Sequence, residues 1–237
     1  MNNKNKEKNK IINNKKYIVI IIVLMMLVIS LVISNLVLYN SKNNYKCNNK
    51  CDYYNMKISK NENIVFLGDS ITDQYPTDEL FAELPVVNSG AGGYTTDNIL
   101  DEMNDRVYKY NPTKVFILIG TNDIGNDGKD ENYVFNNIKK IVDNIKKNRP
   151  KAKIYVESVY PVSDNDENMI ERNKVIDKLN KKIKDYYSNK NVTYIDINSY
   201  LKNNKNALKS EYTKDGIHLT DRAYLKITKL LFPYIYD

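Results

Sequence analysis

The chain of 237 residues contains one histidine, His218, and two cysteines, Cys47 and Cys51. So few imidazole and thiol groups cannot assemble the nitrogen and sulfur ligand sets of a zinc-type centre, so no metal site is expected. Any imidazole chemistry must fall on His218. Glycine is sparse, with eight residues. No stretch reads G-x-G-x-x-G, and no phosphate-binding lysine follows the glycine-rich loop at Gly90–Gly93, so the dinucleotide and nucleotide fingerprints are both missing. No alanine precedes Ala82, which removes the small-residue cleavage site of a secretory signal peptide. Internal repeats are absent, and no basic stripe with interleaved aromatics suggests a nucleic-acid groove.

The formal charge of +7 is unevenly distributed. Residues 1–60 hold 11 lysines against Glu7 and Asp52, which leaves the rest of the chain near −2. The basic character therefore belongs to the N-terminal region and argues against a nucleic-acid partner. From Tyr17 to Tyr39 the chain runs without a charge, long enough at about 1.5 Å rise per residue to cross a hydrocarbon layer of about 30 Å. Lys4, Lys6, Lys8, Lys10, Lys15 and Lys16 precede it, against Lys42, Lys46 and Lys50 beyond it. The positive-inside rule then gives a cytoplasmic basic tail (1–16), a single uncleaved membrane helix (17–39), a polar stalk (40–61) and an extracytoplasmic globular domain (62–237). Cys47 and Cys51 in the stalk either close a small disulfide loop or remain free thiols. Asn44, Tyr45 and Lys46 before Cys47 are not the small, apolar neighbours of a lipidated cysteine.

Within the domain, short apolar runs at 64–67, 86–88, 115–119, 154–157 and 192–195 predict strands. Amphipathic stretches at 96–110, 133–147, 169–187 and 221–231 predict helices. Near-continuous apolar strands alternating with helices imply a parallel sheet covered on both faces, a three-layer α/β/α sandwich with an open, mostly parallel five-stranded sheet. The excess of Asn and Lys is spread along the chain and reads as compositional bias. In such sheets ligands bind beyond the carboxyl ends of the strands.

Four short motifs fall at such positions. Gly68-Asp69-Ser70 follows the first strand and opens a helix, which exposes the Ser70 hydroxyl; taken alone, the tripeptide reads first as a turn with Asp69 or Ser70 as N-cap. Asn88-Ser-Gly-Ala-Gly-Gly93 follows the second strand and can bring backbone N–H groups to a negative atom. Gly120-Thr-Asn122-Asp123 follows the third and offers the uncharged Asn122 donor. Asp215-Gly-Ile-His218 precedes the last helix, where a spacing of three lets the carboxylate orient the imidazole. Val159–Asp164, after the fourth strand, is either part of a pocket rim or an ordinary connection.

Taken together, these motifs resemble the SGNH hydrolases, or GDSL esterase/lipase superfamily, in its platelet-activating-factor acetylhydrolase-like or lysophospholipase L1-like branch. The resemblance spans about residues 62–235. It implies the flavodoxin-like fold of that superfamily and a cofactor-free serine esterase, with Ser70 as nucleophile, His218 as base and Asp215 as its orienting acid. The implied oxyanion hole is formed by Ser70, Gly93 and Asn122. Tyr94 departs from the branch, which often carries Asp there, so substrate contacts are not transferable. Expected substrates are small-molecule, lipid or acylated-glycan esters. An O-acetyltransferase acting on wall polysaccharide through the same acyl-enzyme is the alternative, and a non-catalytic glycan- or lipid-binding module is the reading from a different class.

Overall fold

The computed structural model describes residues 63–237. The basic tail, the expected membrane helix 17–39 and the stalk with Cys47 and Cys51 lie outside the described residues. Among those described, no helix is long and apolar enough to cross a membrane. In chain order the elements are β1 (Asn63–Gly68), α1 (Ser70–Asp73), α2 (Thr77–Leu80), β2 (Val86–Gly90), α3 (Thr96–Asp101), α4 (Met103–Arg106), β3 (Pro112–Leu118), α5 (Thr121–Gly125), α6 (Glu131–Asn148), β4 (Lys153–Glu157), α7 (Glu167–Tyr187), β5 (Thr193–Ile195), α8 (Asn198–Leu201) and α9 (Asp221–Ile235).

The strands form one sheet in the order β2-β1-β3-β4-β5, with every neighbouring pair parallel. The five predicted strands all form. Their continuous apolar runs follow from burial on both faces, with successive side chains pointing to opposite sides. Val65, Leu67, Val115, Ile117 and Val156 pack on one face against Ile99, Ile138, Ile141, Ile176 and Leu179 from α3, α6 and α7. Ile64, Phe66, Phe116, Leu118 and Tyr155 face the other way, onto Ile71, Ala223, Tyr224, Ile227 and Leu231 from α1 and α9. On that second face Phe66, Phe116 and Tyr155 are in register across β1, β3 and β4 and stack at centroid distances of 4.8 and 4.5 Å.

The long helices begin where the sequence provides caps. Asp130 accepts from the N–H groups of Asn132 and Tyr133 ahead of α6, and Asp166 accepts from Met169 ahead of α7. One predicted helix is broken: residues 96–110 form α3, α4 and a 3-10 turn at Tyr108–Tyr110, with Glu102 and Val107 outside helical geometry. Beyond the break, the Ser89 hydroxyl on β2 donates to the Arg106 carbonyl at 2.8 Å.

α9 is fastened at both ends. The Lys114 ammonium on β3 donates to the Ile235 carbonyl at 2.6 Å, placing a cation at the helix C-terminus. Towards the N-terminus, the Tyr224 hydroxyl donates to the Ile71 carbonyl at 2.7 Å, and Tyr75 and Thr228 share a hydrogen bond of 2.7 Å. These contacts bind α9 to α1 and so fix the segments on which His218 and Ser70 lie.

β4 ends in Glu157, which is buried and accepts from the Tyr160 hydroxyl. Burial pushes its carboxyl from 4.5 up to about 7, against the lowering effect of that hydrogen bond. The folded state therefore binds the proton more tightly than the unfolded chain. The associated stability is complete below pH 4.5 and is lost as the pH rises through about 7. A shift of that size corresponds to about 3 kcal/mol. Glu157→Gln should show a smaller fall in Tm between pH 5 and pH 8 than the native chain, measured by thermal unfolding at constant ionic strength. An equal fall in both would assign the effect to other groups.

Candidate active site

The sheet order places a topological switch between β1 and β3, where successive connections leave in opposite directions and ligand crevices form beyond the strand ends. Ser70 follows β1 and Asn122 follows β3, so the two stand at this switch. Gly68 is required at the exit of β1: a Cβ there would lie 2.3 Å from the Leu118 carbonyl and 2.1 Å from the Thr72 hydroxyl. Asp69 caps α1 by accepting the Ile71 N–H at 2.9 Å, leaving Ser70 as the first helical residue, half-buried at the surface. Asn88 braces α1 from β2, donating to the carbonyls of Thr72 at 2.8 Å and Tyr75 at 3.1 Å.

The segment Thr213–Leu219 forms a closed turn joined at its ends by an antiparallel bridge. Gly216 has φ +98°, a left-handed conformation suited to glycine, and a Cβ there would lie 2.6 Å from the Ser163 hydroxyl. Inside the turn, Asp215 Oδ1 accepts the N–H groups of Ile217 at 2.9 Å and His218 at 2.7 Å. Its Oδ2 meets His218 Nδ1 at 2.6 Å, and His218 Nε2 meets Ser70 Oγ at 3.0 Å. Burial works to raise the Asp215 carboxyl, but the His218 ring and the two backbone donors outweigh it and hold the group at about 2. The carboxylate therefore stays ionised at neutral pH and fixes the ring with Nδ1 as donor and Nε2 turned to Ser70.

Gly93, with φ +77°, lies in the exposed loop after β2. Asn122 opens α5 and is largely buried. Its Nδ2 donates to the Tyr94 carbonyl at 2.9 Å, and its Oδ1 accepts from Asn126 at 3.3 Å. One amide hydrogen thus tethers the loop carrying Gly93, and the second is left for another acceptor. Tyr94 is itself held: its hydroxyl donates to Glu102 at 2.8 Å and accepts from Arg106 at 2.7 Å, with the guanidinium over its ring.

Three further residues support the site. Asp69 is fully buried, and burial is the main cause that lifts its carboxyl to about 7; nearby Asp123 raises it further, while Ile71 N–H, Arg172 and His218 oppose. Asp123 accepts from the backbone N–H and hydroxyl of Thr96, which joins α5 to the start of α3. Thr213 accepts the Gly216 N–H at 2.7 Å and donates to the His218 carbonyl at 3.0 Å, spanning the turn that carries Asp215 and His218. The capping position of Asp69 was visible in the sequence; Asp123 depends on a contact 27 residues away, and the local contacts of Thr213 follow no motif that marks them.

Part of the asparagine excess is structural. Val159–Ser163 is buried backbone outside any helix or strand, and such groups need partners. Asn180 pairs with both the N–H and C=O of Val159, Asn173 does the same for Val162, and Asn198 donates to Val159. The segment then reaches the turn, where Ser163 N–H donates to the Gly216 carbonyl at 2.8 Å. It is a docking support for the turn, and Ser163 and Asp164 at its end line the adjoining groove.

A family model described as the GDSL-like lipase/acylhydrolase family matches residues 66–226. The platelet-activating factor acetylhydrolase IB subunit alpha2 of Rattus norvegicus is 29% identical over 181 residues, covering 74% of this chain and 77% of the relative. Among solved structures, a candidate platelet activating factor from Streptococcus pneumonia is 32% identical with a TM-score of 0.67, covering 78% of this chain and 90% of that one. A GDSL-like lipase from Bacteroides thetaiotaomicron, at 24% identity and TM-score 0.68, shares the fold over 78% of this chain and 95% of its own.

Thr213 gives a direct test of the turn's geometry. Thr213→Val removes both hydroxyl hydrogen bonds and should lower kcat on a short-chain aryl ester by about tenfold or more, with KM little changed, because a small misplacement of His218 is costly. Thr213→Ser should restore the rate. Equal kinetics for Val and native enzyme would remove the hydroxyl from the account.

Proposed function

The chain belongs to the GDSL-like lipase/acylhydrolase family and is a serine hydrolase of ester bonds; from that premise we propose that Ser70, His218 and Asp215 form its catalytic triad. The observation that carries this reading is the continuous relay from Asp215 Oδ2 through His218 to Ser70 Oγ, at 2.6 and 3.0 Å. As the Ser70 oxygen attacks the ester carbonyl carbon, its proton passes to His218 Nε2. Negative charge then collects on the carbonyl oxygen. The N–H groups of Ser70 and Gly93 and the second Nδ2 hydrogen of Asn122 stabilise it. Collapse breaks the bond to the alcohol, which leaves with the proton from His218. Water, deprotonated by the same imidazole, attacks the acyl-Ser70 carbonyl, and the acid departs as the proton returns to Ser70. No step calls for a cofactor.

We further propose that this chemistry takes place outside the cell, with the domain 62–237 held by a single membrane helix at 17–39. The uncharged run and the six lysines that precede it support that placement. A tether of this kind concentrates the enzyme on esters at the cell surface.

Ser70→Ala and His218→Ala should each lower kcat on a short-chain aryl ester by roughly three or more orders of magnitude, and the double variant should be hardly worse than either, because the groups act as a unit. Since His218 is the chain's one histidine, its loss leaves no other imidazole to substitute. Retention of activity in a folded Ser70→Ala enzyme would refute the triad.

A further inference from the structure

Two buried polar atoms without a hydrogen-bond partner among the described residues, Asp69 Oδ2 and Arg172 Nε, belong to one locality. Asp69 is wholly buried, immediately before Ser70. Burial and then Asp123 on α5 disfavour its charge, while Arg172 on α7 and His218 favour it. Burial likewise works against the Arg172 charge, and Asp69 supports it. A guanidinium keeps its proton even in such a site, so a fixed cation stands beside the turn that carries Ser70. The same guanidinium is held against α5. Its Nη2 donates to the Thr121 carbonyl at 2.5 Å, and Thr121 immediately precedes Asn122. Gly125 lies one turn further along on the same face, and a Cβ there would fall 2.1 Å from the Arg172 Cζ and Nη1. The missing side chain at Gly125 thus lets the guanidinium lie along α5. That helix has five residues, too few to hold its place by its own hydrogen bonding. The backbone next to Arg172 is itself fixed, since Asn173 pairs with both the N–H and C=O of Val162.

Resting on the triad and oxyanion reading above, we propose that Arg172 is a positioning residue for ester cleavage: anchored on the Thr121 carbonyl and facing the Asp69 carboxyl, its guanidinium sets the placement of the Asn122 donor relative to Ser70. It acts through the residues that precede Ser70 and Asn122 and has no part in the bond changes themselves. Because Asn122 meets negative charge only in the transition state, misplacing it costs turnover and leaves ground-state binding alone.

The test uses the full-length chain in detergent, with 4-nitrophenyl acetate as substrate and a short-chain trifluoromethyl ketone as inhibitor. Addition of Ser70 Oγ to the ketone carbon breaks the C=O π bond, passes the serine proton to His218 and leaves a charged oxygen where the ester oxyanion would form. Arg172→Met should lower kcat by about tenfold or more, leave KM within about twofold and weaken the inhibitor by a factor matching the loss in kcat. Arg172→Lys, which keeps the charge, should recover part of both. Gly125→Ala decides the matter where Arg172→Met fails to fold: it keeps the cation but displaces the guanidinium, and should lower kcat in the same way. Added to Arg172→Met, Gly125→Ala should change little further, because the group it displaces has gone. Native kcat and inhibitor affinity in either folded variant, a rise in KM alone, or additive losses in the double variant would overturn the proposal. The two readings also fail separately. Full activity in a folded Ser70→Ala enzyme overturns the triad whatever Arg172 does, whereas an inactive Ser70→Ala beside a fully active Arg172→Met overturns the positioning role alone.

Discussion

The hydrogen bond between Ser70 and His218 joins residues 148 positions apart, and both are fixed by the same packing face of the sheet. Ser70 starts the short helix that follows β1, and His218 stands just ahead of α9. Each segment is braced locally, α1 by Asn88 and the turn by Ser163. Tyr224 reaching the Ile71 carbonyl, Tyr75 pairing with Thr228, and Lys114 holding the far end of α9 then fix the two relative to each other. A separation of 3.0 Å between imidazole and hydroxyl is therefore a property of the whole second face of the core.

Around that pair, polar groups are paired at close quarters. Asp215 accepts three hydrogen bonds across its two oxygens, Asn122 ties its loop to Tyr94, and asparagines on α7 and α8 satisfy the buried backbone of Val159–Ser163. Asp69 departs from that pattern. It caps the helix with one oxygen, while the other is buried without a hydrogen-bond partner. Burial accordingly favours its protonated form up to about pH 7, directly beside Ser70.

The sheet and the pairing of Asp215 with His218 were legible in the sequence because each depends on local pattern. A strand buried on both faces must be apolar throughout, so the five strands could be located from short runs. Asp215 and His218 lie within one turn, so their spacing already stated their relationship. Much of what supports them was not legible. Thr96 with Asp123, Asn180 with Val159 and Ser163 with Gly216 join segments at least 21 residues apart, and no spacing rule links such positions. The asparagine excess looked like bias because its use appears only once an irregular buried segment exists to be satisfied. The break at Glu102 was hidden because the apolar positions keep helical spacing across it while the backbone there leaves helical geometry.

Acylation of Ser70 Oγ is the step on which the proposed chemistry turns. Incubating the full-length chain with a fluorophosphonate and mapping the adduct by peptide mass spectrometry tests that directly. A single adduct on the peptide containing Ser70, formed in step with loss of esterase activity, is the predicted result. Modification of a different residue with the same loss of activity, or full activity with Ser70 modified, would contradict it.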